Sequence, residues 1–259
     1  MGYKKIVQSG NLIEVYEYEK DINRKAIQKA HDTKFRNEQL RKRHHIERAP
    51  RTGVVRPDNA RKRKKSFIRL VRANLVGETA PVFLTLTMYE VRPLRDAWLA
   101  FREFNQRLRR NEGKNLRYIA VPEFQRRGAV HYHVLIWGLN DEQIKKEPEL
   151  RYYQSLWQRG FVDCLSTDGS PKLAGYLGKY LSKALLDARL SGQRSYMASQ
   201  SALRPVSLPF EAAFEHSQEA FGIDLENDTP IKEMVFQHKW LGDCHYRIFD
   251  ITENKNDLP

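Results

Sequence analysis

Residues 116–138, LRYIAVPEFQRRGAVHYHVLIWG, hold two β-prone runs on either side of a QRRG turn, and no other stretch constrains the fold as much. Gly128 suits a tight reversal, so the runs 116–124 and 129–138 are expected to pair as an antiparallel hairpin. Alternate side chains of a strand share a face, so His131 and His133 project together, about 7 Å apart at a rise of ~3.3 Å per residue. Pairing centred near Arg126 and Arg127 sets Glu123 opposite His131, which brings a carboxylate to the same face. A bare His-x-His is better explained by two hydrogen-bonded core histidines packed against helices, and the cross-strand Glu123 reverses that balance toward a metal. Glu123, His131 and His133 make a three-ligand set that leaves positions for water or a phosphate oxygen. Such a set suits Mn²⁺ or Mg²⁺ better than a closed structural zinc site.

The flanking segments extend this hairpin into a domain. PVFLTLTM (81–88) is β-branched and apolar and reads as a strand. From Pro93, the residues Leu94, Trp98, Phe101 and Leu108 recur at helical spacing to Arg110. Residues 148–160 read as a helix, FVDCL (161–165) as a short strand, and residues 171–190 as a helix with Pro171 near its first turn. The order β-α-β-β-α-β-α predicts an α+β fold, a central antiparallel sheet covered on one side by helices in a split βαβ arrangement. Upstream, residues 3–18 read as a hairpin around Ser-Gly-Asn, residues 20–48 as a basic helix, and Pro50 to about Lys65 as an exposed connection. The expected division is a basic N-terminal hairpin and helical extension (1–80), a core (81–205), and an acidic C-terminal extension packing on the core (206–259).

A second constellation lies in YLGKYLSK, residues 176–183. Tyr176, Lys179, Tyr180 and Lys183 fall at i, i+3, i+4 and i+7, one face of a helix, beside an apolar stripe of Leu173, Leu177, Leu181 and Ala184. The wheel puts Tyr176 amid the polar arc and Tyr180 nearer the apolar edge. Taken alone, both are ordinary surface and boundary residues. Taken with the metal set, they suggest a reaction, because a phenol with a pKa near ~10 attacks at neutral pH only when its target is polarised and positive charge is close. A phosphodiester meets that need when a metal binds a non-bridging oxygen and Lys179 or Lys183 offsets the charge that develops.

Charge points to the same substrate class. The chain of 259 residues has a formal net charge of +13, and residues 41–72 concentrate 13 basic residues against 2 acidic ones. The cluster Arg61, Lys62, Arg63, Lys64 and Lys65, with Arg126 and Arg127 at the hairpin turn, supplies charge that displaces counterions from a phosphate backbone. Two cysteines and the lack of any long apolar run argue against a disulfide framework or a membrane partner and favour a reducing cytoplasm.

On these residues the chain resembles the HUH endonucleases, named for His-hydrophobic-His, and among them the rolling-circle replication initiators of small phages and plasmids. FLTLT (83–87) resembles their first motif, HYH with Glu123 their metal motif, and YLGKYLSK their tyrosine motif in its two-tyrosine form; VPEFQRRGAVHYH and RSYMASQSALRP (194–205) are similar as well. The resemblance implies nicking of single-stranded DNA at a replication origin, a 5′-phosphotyrosine link, a 3′-hydroxyl that primes synthesis, and rejoining by the second tyrosine. It also implies a bacterial host cytoplasm and a host polymerase. No G-x-x-x-x-G-K-[ST] occurs here, so unwinding is expected of a host helicase. Single-strand transposases and relaxases share the chemistry, but relaxases place their tyrosine near the N-terminus. A non-catalytic nucleic-acid-binding module of the same sheet topology would expose stacking aromatics where this sheet carries histidines and a carboxylate.

Overall fold

The computed structural model describes residues 2–22, 24–43, 55–77, 80–113, 115–139, 149–190 and 192–252. The chain forms two compact units, residues 1–51 with 206–259, and residues 52–205. These boundaries follow strand pairing and helix packing rather than the change of charge along the sequence. The first unit begins with the expected hairpin, β1 (Lys4–Ser9) and β2 (Leu12–Tyr18), followed by the basic helix α1 (Arg24–Arg43).

In the second unit, helix α2 (Pro57–Asn74) replaces most of the expected exposed connection; residues 50–54 lie outside the described residues. Arg61, Lys62, Arg63 and Lys65 are exposed while Phe67, Leu70 and Val71 are buried, and Pro57 sits in the first turn, where its missing N–H costs nothing. There follow β3 (Val82–Thr87), α3 (Leu94–Glu112), β4 (Arg117–Phe124), β5 (Val130–Trp137), α4 (Glu149–Trp157), β6 (Val162–Ser166) and α5 (Lys172–Leu186), in the expected order. A short strand β7 (Met197–Ala198) completes an antiparallel sheet of order β6-β3-β5-β4-β7.

Helices cover both faces of this sheet, not one. On one side Trp98 and Phe101 of α3 pack on Tyr132, at 4.8 and 5.1 Å between ring centroids, and Phe104 meets Trp157 of α4. On the other, α5 lays Tyr180 on His133, and α2 packs beside α5. The reason lies in β5, where every residue but His131 is buried; a strand apolar on both faces needs cover on both.

The residues from 206 onward return to the first unit. β8 (Val206–Leu208), β9 (Lys232–His238) and β10 (Gly242–Asp250) join β1 and β2 in a second antiparallel sheet of order β8-β1-β2-β10-β9, with α6 (Phe210–Glu215) and α7 (Ser217–Phe221) between them in sequence. Ile6, Ile13, Val15 and Phe249 bury one face under Phe210 and Leu225, while Val7, Leu12, Tyr16 and Tyr246 line the other. On that second face the buried Glu14 accepts hydrogen bonds from the hydroxyls of Tyr16 and Tyr246. Among the described residues no helix is long and apolar enough to cross a membrane.

Candidate active site

Strand register assembles the site. Glu123 pairs with His131, His131 with Thr87, and His133 with Thr85, so Phe83, Thr85, Thr87, Glu123, His131 and His133 share the sheet face under α5. The carboxylate of Glu123 turns along the strand: its Oε2 lies 2.7 Å from His133 Nε2, and its Oε1 accepts a hydrogen bond of 2.9 Å from Lys183 Nζ. His131 Nδ1 lies 3.3 Å from the Thr87 hydroxyl, and the two imidazole centroids are 6.3 Å apart.

Burial governs the electrostatics. It pushes His133 down to about 4 even though Glu123 pulls the other way. His131 is lowered too, first by burial and further by the Arg127 charge, against Glu123. Burial alone would raise the Glu123 carboxyl, but the hydrogen bonds and charges of Lys183 and His133 outweigh it and hold the group below its ordinary value. Neutral imidazoles beside an ionised carboxylate are the protonation states a divalent cation requires. His133 Nδ1 is buried without a hydrogen-bond partner. The donor types fit Mn²⁺ or Mg²⁺. As arranged, Glu123 is engaged by His133 and Lys183, and among the described residues no three of His, Cys, Asp and Glu converge on one point.

Helix α5 sets its phenols over this face. It buries Ala174, Leu177, Gly178, Leu181, Ala184 and Leu185, which turns the i, i+4 pair Tyr176 and Tyr180 toward β3 and β5. The two hydroxyls are 2.9 Å apart. The Tyr180 ring stacks on His133 with centroids 3.5 Å apart, and both phenols contact Phe83. Lys179 Nζ lies 5.8 Å from the Tyr176 ring and Lys183 Nζ 5.4 Å from the Tyr180 ring. Tyr176 is 40% exposed. Burial, then the hydrogen bond and charge of Tyr176, then the Glu123 charge, push the Tyr180 phenol well above its ordinary value.

The basic cluster comes to the same layer. Arg61, Lys62, Arg63 and Lys65 are exposed on α2 and Lys64 is half-buried. A methyl group on Gly178 of α5 would meet Ile68 Cγ1 at 3.4 Å and Lys64 Cε at 3.7 Å, so the two helices lie side by side. At the hairpin turn Arg126 is exposed, while the Arg127 guanidinium donates to the carbonyls of Tyr89 and Met88. Phe83 contacts both phenols and the Thr87 hydroxyl lies beside His131; the signal for both in the sequence is the alternate spacing within FLTLT. A cleft of about 490 Å³ lined by Arg102, Arg109, Tyr118 and Ser199 belongs to the α3 side of the sheet and shares no residue with the site.

Residues 81–185 match the family model Replication-associated protein ORF2/G2P, a rolling-circle replication initiator family. That segment runs from β3 through α5 and contains Glu123, His131, His133 and the whole Tyr/Lys motif. No curated protein and no solved structure matches the chain.

Proposed function

Taking residues 81–185 as a replication-initiator module, we propose that the protein nicks single-stranded origin DNA by tyrosine attack and later rejoins it. The observation that carries this reading is the pair of phenol oxygens, 2.9 Å apart, over a face that holds Glu123, His133 and Lys183. Tyr176 is the better first nucleophile, since it is exposed while Tyr180 is stacked on His133 and hard to ionise. Its oxygen attacks phosphorus, the phenol proton passes to water, and the bond to the 3′-oxygen breaks. That oxygen leaves as a hydroxyl after taking up a proton, and the 5′-phosphate remains on the tyrosine. Lys179 and Lys183 offset charge on the phosphoryl oxygens in the transition state. Glu123, His131 and His133 would hold Mn²⁺ or Mg²⁺, which supplies Lewis-acid polarisation of a non-bridging oxygen.

Tyr180 reaches the same point as Tyr176, so a second phosphodiester brought there after a round of copying can be attacked by the other phenol. The hydroxyl released in that step displaces the first tyrosine and closes a circle. Arg61, Lys62, Arg63, Lys64 and Lys65 on α2 and Arg126 and Arg127 at the turn would hold the strand's phosphates and set its register. A host helicase and polymerase in the bacterial cytoplasm would supply unwinding and synthesis.

The test is a covalent adduct. Incubation with origin-like single-stranded DNA and Mn²⁺ should give a protein–DNA band that survives a denaturing gel. Tyr176→Phe and Tyr180→Phe should each weaken adduct formation or joining, and the double change should abolish both. An adduct formed by the double variant would place the nucleophile elsewhere, and no adduct from the unaltered chain across sequences and metals would overturn the reading.

A further inference from the structure

At the His131 end of the site the sheet rim carries aromatic side chains that the core does not use. Tyr89 is 51% exposed and Phe161 61%. Tyr89 follows β3 and Phe161 precedes β6, and backbone pairing holds them together: Thr87 N donates to Phe161 O at 2.7 Å and Tyr89 N to Arg159 O at 2.8 Å. The rings meet edge to face with centroids 4.9 Å apart. Gly160 makes this approach possible, since a Cβ there would lie 2.0 Å from Thr87 O. Trp157 Nε1 donates to the same carbonyl at 2.8 Å and fixes the turn from below. Apolar rings left in water on a pinned backbone mark a surface that meets a partner.

The charge around the pair says what that partner is. Arg127 donates to the carbonyls of Tyr89 and Met88, so its guanidinium is locked beside the Tyr89 backbone, and it forms no ion pair among the described residues. Thr87, whose N donates to Phe161 O, holds its hydroxyl 3.3 Å from His131 Nδ1, which ties the rim to the site. Arg126 stands exposed at the hairpin tip beside Arg127. Flat apolar rings next to unneutralised guanidinium charge fit an unstacked nucleobase with its phosphate, and the ring geometry offers a face to a base that duplex DNA keeps inside its own stack.

We infer that Tyr89 and Phe161, with Arg127, form a stacking platform for the bases that flank the scissile phosphate in single-stranded DNA. The inference rests on the nicking reading for its ligand, and its role is positioning: stacked bases fix the strand so that one phosphodiester lies under α5. Stacking tolerates any base, so the platform contributes affinity and register while leaving sequence choice to other contacts.

The test reads binding in a chain that cannot form the covalent link, the Tyr176→Phe/Tyr180→Phe variant, by fluorescence anisotropy with a labelled single-stranded oligonucleotide. Adding Tyr89→Ala or Phe161→Ala should weaken binding roughly ten-fold each, with the salt dependence unchanged, because stacking releases no counterions. Phe161→Trp should restore binding, and Arg127→Gln should flatten the salt slope by about 0.7, one phosphate on a single strand. Duplex DNA of the same sequence should bind the Ala variants and the parent alike, as should single strands with Leu99→Ala, an exposed apolar residue of α3. Parental affinity in both aromatic variants, with unchanged thermal melts, would overturn the inference. So would equal losses for single strand and duplex, which would mean that the rings do not read unstacked bases. A chain that binds as expected but forms no adduct with its tyrosines intact would instead count against the nicking chemistry.

Discussion

Glu123 shows how far a single residue can be read from strand pairing. The hairpin register set it opposite His131, and the Cα pairing is as expected. Register settles where a backbone lies, not where a two-carbon side chain turns, and Lys183 arriving from α5 draws the carboxylate toward itself and His133. No local pattern could have announced that contact between residues 60 positions apart. Asn74 is a second case, silent in the sequence because one polar residue near a helix end has many ordinary uses. It is buried, its Nδ2 donates to Leu70 O at 2.8 Å and Leu203 O at 3.0 Å, and its Oδ1 accepts from Leu203 N at 2.9 Å. It therefore ties the end of α2 to a segment beyond α5. Asn74→Ala should leave both Leu203 backbone groups without their partner and cost on the order of 2 kcal/mol, read by urea unfolding. A loss within a few tenths of a kcal/mol would mean that water takes over the contact.

Among elements, α5 was the most legible. Its i, i+3, i+4, i+7 pattern placed Tyr176 outward and Tyr180 at the boundary, as they stand. The sequence hides helix α2, because Gly53, Pro57 and Asn59 are turn formers while its apolar stripe of Phe67, Leu70 and Val71 starts only past the basic run. Lys and Arg are good helix formers, so the run was compatible with either state. Two glycines give opposite predictions. A Cβ on Gly175, within α5, meets nothing within 4 Å. Gly175→Ala should therefore raise stability by up to about 1 kcal/mol, the helix propensity difference. At Gly160 a Cβ collides with Thr87 O, so Gly160→Ala must shift backbone and should cost on the order of 2 kcal/mol. Thermal denaturation of the two variants decides both, and equal shifts of the same sign would contradict the packing described.

Across the molecule, three phenols shielded to different degrees make the fold sensitive to alkali. Burial raises Tyr118 and Tyr132 above their ordinary value, and burial with the hydrogen bond to Glu112 pushes Tyr152 up to about 12. In the unfolded chain these groups ionise near ~10, so between that value and the folded ones the native state binds more protons. Their stabilisation is complete below about pH 10 and is lost as pH rises through the folded values. The melting temperature of the chain should fall as pH climbs from 9 to 11.5, and Tyr152→Phe should make the fall shallower; a flat profile would contradict the burial. By itself the sequence determined the parts whose signals are local: the hairpin, the shared face of Glu123, His131 and His133, the tyrosine helix and the β-α-β-β-α-β-α order, all carried by periods of two or 3.6 residues. Only the tertiary structure decided that Lys183 reaches Glu123, that Tyr180 covers His133, that α2 with its basic run lies beside α5, and that the two ends of the chain share a sheet. Those are long-range pairings, which the sum of packing over the whole fold selects and which leave no periodic trace in the residues that make them.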